Sequence, residues 1–255
     1  MSVSPRHFCR EESIVAGEHL AGTGAHRASI LLIRWPKGRW TRTIDAASDM
    51  TNEEQALTAA LTAGGRRVQL VDRKGETEAC HKLWLFPENL TCSVARADLT
   101  RTLAAVARRD FTGWEVSDRR LLLVCAHGQK DRCCARWGFA AYKALAARAP
   151  DDLEVWESTH LGGCRLSAST LGLPAMTKHG RVEAQDANAL IEAERQGRCL
   201  PRLWRGPCHL PPEAQAREVF QRLGQTQPPE PRQVTRPATC AELDAGERSV
   251  GQSWR

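Results

Sequence analysis

The sequence predicts an α/β protein made of two sandwich units of similar design, and three observations carry that prediction. Short apolar runs such as Ile30–Ile33 and Leu121–Cys125 have the length of buried strands. Segments with helical spacing of apolar residues alternate with them. The order strand–helix–strand–strand–helix, complete by Arg109, begins again at Arg120.

In the first unit a buried strand falls at Ser29–Arg34. Thr51-Asn-Glu-Glu54 reads as a capping box that opens a helix, and Gly64-Gly65 closes it. Arg66–Asp72 and Lys82–Phe86 read as strands with Lys74-Gly75 in the turn between them. Ala97–Arg109 is a helix with apolar positions at Leu99, Leu103 and Val106. In the second unit Arg120–Cys125 is a continuous apolar strand, and the polar loop His127–Arg132 leads into a helix over Cys133–Arg148. Its stripe is Cys134, Trp137, Ala141 and Leu145, and Pro150 stops it. Leu153–Ser158 is the next strand. Short strands are expected in Ser169–Pro174 and around Arg181-Val182, then a helix through Ala187, Leu190 and Ile191, and a last one over Glu213–Leu223. The domain reading is therefore an extension over 1–19, a first unit over 20–118, a second over 119–225, and a polar, proline-rich flexible tail over 226–255.

Composition narrows the function classes. The 255 residues are 42% hydrophobic and 26% charged, an ordinary globular balance. No apolar run approaches the ~18 residues of a membrane span, and the N-terminus has no apolar h-region, so neither a membrane anchor nor a secretory signal is expected. The net charge of +6 is scattered rather than gathered in one run. That speaks against a nucleic-acid arm and fits docking to an acidic protein partner as well as a solvated basic surface. Ten cysteines in such a chain point to a reducing compartment, expected to be the cytoplasm, and to metal or redox use rather than disulfides.

Four donors stand in two clusters. Cys125 ends a strand and Cys134 begins a helix after eight intervening residues; His160-Leu-Gly-Gly-Cys164 fills the loop after the next strand. Loops that leave the carboxyl ends of neighbouring strands converge on one rim of an α/β sheet. Gly162 and Gly163 allow the backbone to curl around an inorganic group and to offer amides to it. His127, between the two cysteines, is a candidate donor behind the ligands, or else a solvent-facing loop histidine.

Leu123-Val-Cys-Ala-His-Gly-Gln-Lys-Asp-Arg-Cys-Cys-Ala, Val155-Trp-Glu-Ser-Thr-His-Leu-Gly-Gly-Cys, Leu173-Pro and Gly180-Arg-Val resemble the sucrase/ferredoxin-like family of thioredoxin-like [2Fe-2S] ferredoxins, from about Leu20 to Leu223. The resemblance implies two thioredoxin-like domains. The C-terminal one would hold a [2Fe-2S] cluster, and the N-terminal one, without a cluster, would serve as a packing or dimerisation partner. It assigns Cys125, Cys134 and His160 as ligands. Many relatives carry histidine where this chain has Cys164, so the set here becomes three cysteines and one histidine. Such a site holds one unit less negative charge than a four-cysteine site, which favours accepting an electron and raises the potential. The expected function is one-electron transfer between a reductase and an acceptor protein, not enzymatic turnover of an organic substrate.

Three alternatives stand beside this reading. Three cysteines and a histidine also make a tetrahedral zinc site, which would make the chain a zinc-stabilised structural module; or an iron-sulfur cluster there would serve as a redox sensor rather than a carrier. Cys133 adjoins Cys134 and competes with it as ligand. A thioredoxin-type dithiol would need Cys-x-x-Cys, which the chain lacks. Of the remaining cysteines, Cys80, Cys92, Cys199 and Cys208 read as small buried apolar residues, and Cys9 and Cys240 as exposed ones in weakly structured ends. Lys130, Asp131, Arg132 and Arg165 read equally as a charged docking rim or as a solvated charged loop.

Overall fold

A computed structural model of the chain describes residues 7–75, 80–227 and 229–255; the reading of Met1–Arg6 falls outside these. Among the described residues the strands are β1 (Ile30–Arg34), β2 (Arg67–Asp72), β3 (Cys80–Phe86), β4 (Leu90–Ala95), β5 (Glu115–Val116), β6 (Arg120–Cys125), β7 (Leu153–Ser158), β8 (Thr170–Leu173), β9 (Thr177–His179), β10 (Pro231–Arg236) and β11 (Ser249–Trp254). The helices are α1 (Cys9–Val15), α2 (Asn52–Ala63), α3 (Leu99–Ala107), α4 (Phe139–Ala146), α5 (Ala187–Arg195), α6 (Pro212–Arg222) and α7 (Cys240–Asp244).

Nine strands form one mixed sheet in the order β5-β4-β3-β1-β2-β7-β6-β8-β9. The repeated element order is visible in its pairing. β1 runs parallel to β2 and antiparallel to β3; β6 runs parallel to β7 and antiparallel to β8. The halves are fused into the same sheet by β2 and β7, which pair antiparallel through Val71 with Ser158 and Asp72 with Glu157.

β1 and β6 are continuous apolar runs because both of their faces are covered. Leu31 and Ile33 pack with Leu61, Leu99 and Leu103 from α2 and α3, while Leu122 and Val124 pack with Leu145 and Leu190 from α4 and α5. The alternate residues Ile30, Leu32, Leu121, Leu123 and Cys125 enter a core shared by both halves, which also holds Trp84, Trp156 and six further cysteines: Cys9, Cys133, Cys134, Cys164, Cys208 and Cys240. The capping box forms as read: Glu54 N–H donates to the Thr51 hydroxyl at 3.2 Å, and Thr51 N–H donates to the Glu54 carboxylate at 2.8 Å. No helix among the described residues is long and apolar enough to cross a membrane.

The structure departs from the sequence expectations at four places. β4 has no counterpart in the reading; its half-exposed alternation follows a turn at Asn89, whose φ is +55°. The strand expected at Arg181-Val182 lies earlier, at β9, and Val182 is instead a buried loop residue bonded to the Ala168 carbonyl. The expected extension over 1–19 carries α1. The expected flexible tail is folded: β10 and β11 pair along their whole length, from Pro231 with Trp254 to Arg236 with Ser249. Three buried anchors, Val234, Cys240 and Trp254, hold it, and Trp254 packs with Ala21, Ala216 and Phe220. Those anchors are too sparse to show against a polar background.

Candidate metal centre

β6 and β7 are parallel neighbours, so their carboxyl ends lie on one edge, with Cys125 in register with Ser158. Cys125 is the last residue of β6. After the loop, Cys134 opens a π-helical turn over Cys134–Gly138 that runs on into α4; such wide turns concentrate at functional sites. The turn sits hard against the end of β6. A Cβ on Gly138 would run into the Cys125 carbonyl oxygen, so glycine is what lets the two ligand-bearing segments approach. Beyond β7 the chain passes His160 and turns through Gly162 and Gly163, with φ of +93° and +80°, to reach Cys164.

These turns bring the four predicted donors to one rim: ligand atoms of Cys125, Cys134 and His160 all lie within 4.8 Å of one another, and Cys164 stands outside that tight group, against His160. His160 Nδ1 stands 3.8 Å from Cys125 Sγ, 3.9 Å from Cys134 Sγ and 3.7 Å from Cys164 Sγ. The three cysteines are buried and His160 is half-buried, so the imidazole is the edge of the site nearest to solvent. Cys133 points the other way, to Cys9 Sγ at 3.4 Å and Cys240 Sγ at 3.3 Å.

The donors share protons in a way that favours the thiolate, the form that binds metal. Hydrogen bonding from Cys134, and then from His160, holds Cys125 and Cys164 below the ordinary thiol range against the opposing effect of burial. Cys134, which supplies those bonds and sits between two developing charges, is pushed up. Burial pulls His160 down, but hydrogen bonds to Cys125 and Cys164 outweigh it and raise the imidazole to about 9.

The surrounding residues fix the loop from both halves of the sheet. His127 is fully buried rather than solvent-facing. Its Nε2–H donates to the Thr41 carbonyl at 2.6 Å, and its Nδ1 accepts the His160 backbone N–H at 3.2 Å. Burial keeps it neutral, as that pair of bonds requires. From β2, Arg67 donates to the His160 carbonyl at 2.6 Å. The backbone amide that faces Cys125 Sγ is that of Leu161. A cavity of 960 Å³ opens beside Gly162 and Gly163, lined by His26, Arg27, Arg67, Lys178 and Arg205. Arg67, Lys178 and Arg205 all feel the Cys125 charge. No spacing in the sequence singled out these cations; they arrive from β2, β9 and a loop near residue 205.

Other expectations are corrected. The charged rim is largely engaged within the chain: Asp131 is buried, Arg132 pairs with Asp244 at 2.7 Å, and Arg165 pairs with Glu18 at 2.8 Å. Cys9 and Cys240 are buried, not exposed.

Among solved structures, the chain is similar to the wild-type thioredoxin-like [2Fe-2S] ferredoxin of Aquifex aeolicus. Identity is 16%, over 34% of this chain and 97% of that one, with a TM-score of 0.30. A second structure of a thioredoxin-like [2Fe-2S] ferredoxin from that organism matches at 17% identity, over 38% and 97%, with a TM-score of 0.32. No curated protein matches. The profile of the sucrase/ferredoxin-like family matches residues 20–206, nearly three quarters of the sequence and all four converging donors. On that match, the chain belongs to the sucrase/ferredoxin-like family.

Proposed function

We propose that this protein is a one-electron carrier that holds a [2Fe-2S] cluster through Cys125, Cys134, Cys164 and His160 and exchanges electrons with protein partners, a reductase and an acceptor. The observation that carries this reading is the convergence of three thiols and one imidazole at the ends of two parallel strands. The family's ferredoxin-like description and the cluster named for the Aquifex ferredoxin support it. Such a cluster, when bound, supplies a site that gains and loses one electron.

The chain's own residues suit that task. Buried cysteines keep water from the sulfurs, while half-buried His160 leaves one edge open to a partner. The Leu161 amide and the cations Arg67 and Arg205 favour added negative charge, and so a higher potential. His127 holds the backbone of His160 and so fixes where the imidazole stands.

One observation favours a second reading, a single tetrahedral zinc. The spacing of 3.7–3.9 Å from Nδ1 to the three sulfurs is close to the edge of a tetrahedron built on Zn–S bonds of about 2.3 Å, while the sulfur of Cys164 lies more than 4.8 Å from at least one of the other donors. Metal and sulfide analysis of the anaerobically purified full chain separates the two. The cluster reading predicts iron and acid-labile sulfide in equal amounts and red-brown protein. Colourless protein whose His160 site holds zinc contradicts it.

A further inference from the structure

Behind the first donor cluster lies a second that the electron-transfer reading leaves unused. Cys133 Sγ stands 3.4 Å from Cys9 Sγ and 3.3 Å from Cys240 Sγ, and Cys240 Sγ stands 3.6 Å from Cys9 Sγ. Asp131 completes the group, with one ligand atom from each of the four residues within 4.8 Å of the others. All four are buried, at 0%, 0%, 3% and 5% exposure for Cys9, Cys133, Cys240 and Asp131. Three segments far apart in the chain meet here: α1, the loop before Cys134, and α7.

The chemistry of this group calls for a cation. One Asp131 carboxylate oxygen accepts the Cys133 N–H and the other accepts the Cys240 N–H, each at 2.8 Å. These bonds aim the carboxylate at the thiols. Among the described residues no Lys, Arg or His nitrogen lies within ion-pair distance of it. A buried carboxylate beside three thiols is costly unless a positive charge compensates it. Backbone amides face the sulfurs as well: that of Arg10 faces Cys133, and that of Cys9 faces Cys240. A disulfide fits poorly, because three sulfurs form one triangle and any pair would strand the third thiol beside the carboxylate. Three thiolates and one carboxylate are all zinc donors, and their burial closes the site to water, as a structural rather than catalytic zinc requires.

We infer that Cys9, Asp131, Cys133 and Cys240 bind one structural divalent cation of the zinc class. It clamps both ends of the chain onto the loop that delivers Cys134. This accounts for a polar C-terminal segment being folded with few apolar anchors. The site is separate from the His160 cluster although Cys133 and Cys134 are adjacent, because neighbouring side chains diverge at the start of the turn.

The test is metal analysis of the full chain purified from zinc-supplemented growth. One zinc per chain is expected. Cys9→Ser and Cys240→Ser should each lower it at least tenfold and leave any iron and sulfide unchanged. Cys134→Ser should leave this zinc in place, so the result does not depend on whether the first site holds a cluster. If the serine variants do not fold, cobalt replacement in the iron-loaded wild type provides the second readout: tetrahedral thiolate-to-cobalt absorption at one cobalt per chain. Protein with no zinc and no cobalt uptake overturns the inference. So does zinc that survives Cys9→Ser but disappears with Cys134→Ser, or a disulfide joining two of the three sulfurs.

Discussion

Cys134→Ser is expected to remove all bound iron and sulfide, and with them the visible absorption, while the fold persists. Cys134 stands within 4.8 Å of the Cys125 sulfur and 3.9 Å from His160 Nδ1. Serine fits the same buried space, but its hydroxyl stays protonated near neutral pH and is a hard donor, poorly matched to iron bridged by sulfide. The loss is therefore one of ligation, not of packing. Cys92→Ser is the control, because Cys92 lies half-buried in β4 against the core of the other half; its iron should equal that of the wild type. Iron, sulfide and visible spectra of the three proteins, with circular dichroism to check folding, make the comparison. Equal iron in wild type and Cys134→Ser would remove Cys134 from the ligand set.

Glu18→Gln is expected to destabilise the protein by about 3–5 kcal/mol near neutral pH, the range for breaking a buried ion pair on one side. The Glu18 side chain is fully buried. It accepts from Arg165 at 2.8 Å, from Arg236 at 2.9 Å and from the Ser13 hydroxyl at 2.7 Å. Gln cannot balance two guanidinium charges, one of them nearly as buried as Glu18 itself. These contacts tie Arg165, next to Cys164, to Arg236 on β10, so the same substitution loosens the Cys164 loop and the C-terminal hairpin together.

The sign with pH follows from the Glu18 carboxylate. Burial pushes it up, but its bonds to Arg165 and Arg236 outweigh that and bring it from 4.5 to about 2 in the folded chain. A carboxylate with a depressed folded value contributes stability that is complete above the unfolded value and disappears as pH falls toward the folded one. The wild type should therefore lose about 3 kcal/mol from this group between roughly pH 5 and pH 2. Glu18→Gln lacks that part of the acid limb. Denaturant titrations at a series of pH values should show the two proteins converging as pH falls. A constant gap would contradict the assignment.

Much of the site was legible because its donors stand close in sequence, in two short loops after strands. Cys125, Cys134, His160 and Cys164 each occupy a strand end, a helix start or a glycine turn that periodicity and glycine pairs mark out. Their supports were not legible. Arg67, Lys178 and Arg205 reach the site through the order of strands in the sheet, and single cations carry no periodic signal. His127 looked like a loop residue because nothing local shows that Thr41 will cover it. The repeat of element order was visible, but the pairing of β2 with β7 that joins the halves rests on just two residue pairs. The C-terminal hairpin was missed for a related reason. Its order depends on Trp254, on Arg236 against Glu18 and on Cys240 against Cys9 and Cys133, all of them long-range contacts within a polar composition.

The central claim is that three thiolates and the His160 imidazole hold a two-iron, two-sulfide centre. Electron paramagnetic resonance of the chemically reduced full chain, read for nitrogen hyperfine coupling, tests it most directly. The predicted result is one unpaired spin per chain with a single-imidazole coupling that vanishes in His160→Cys, whose reduction potential is also lower. A reduced protein with no spin, or a nitrogen coupling unchanged in His160→Cys, would contradict the claim.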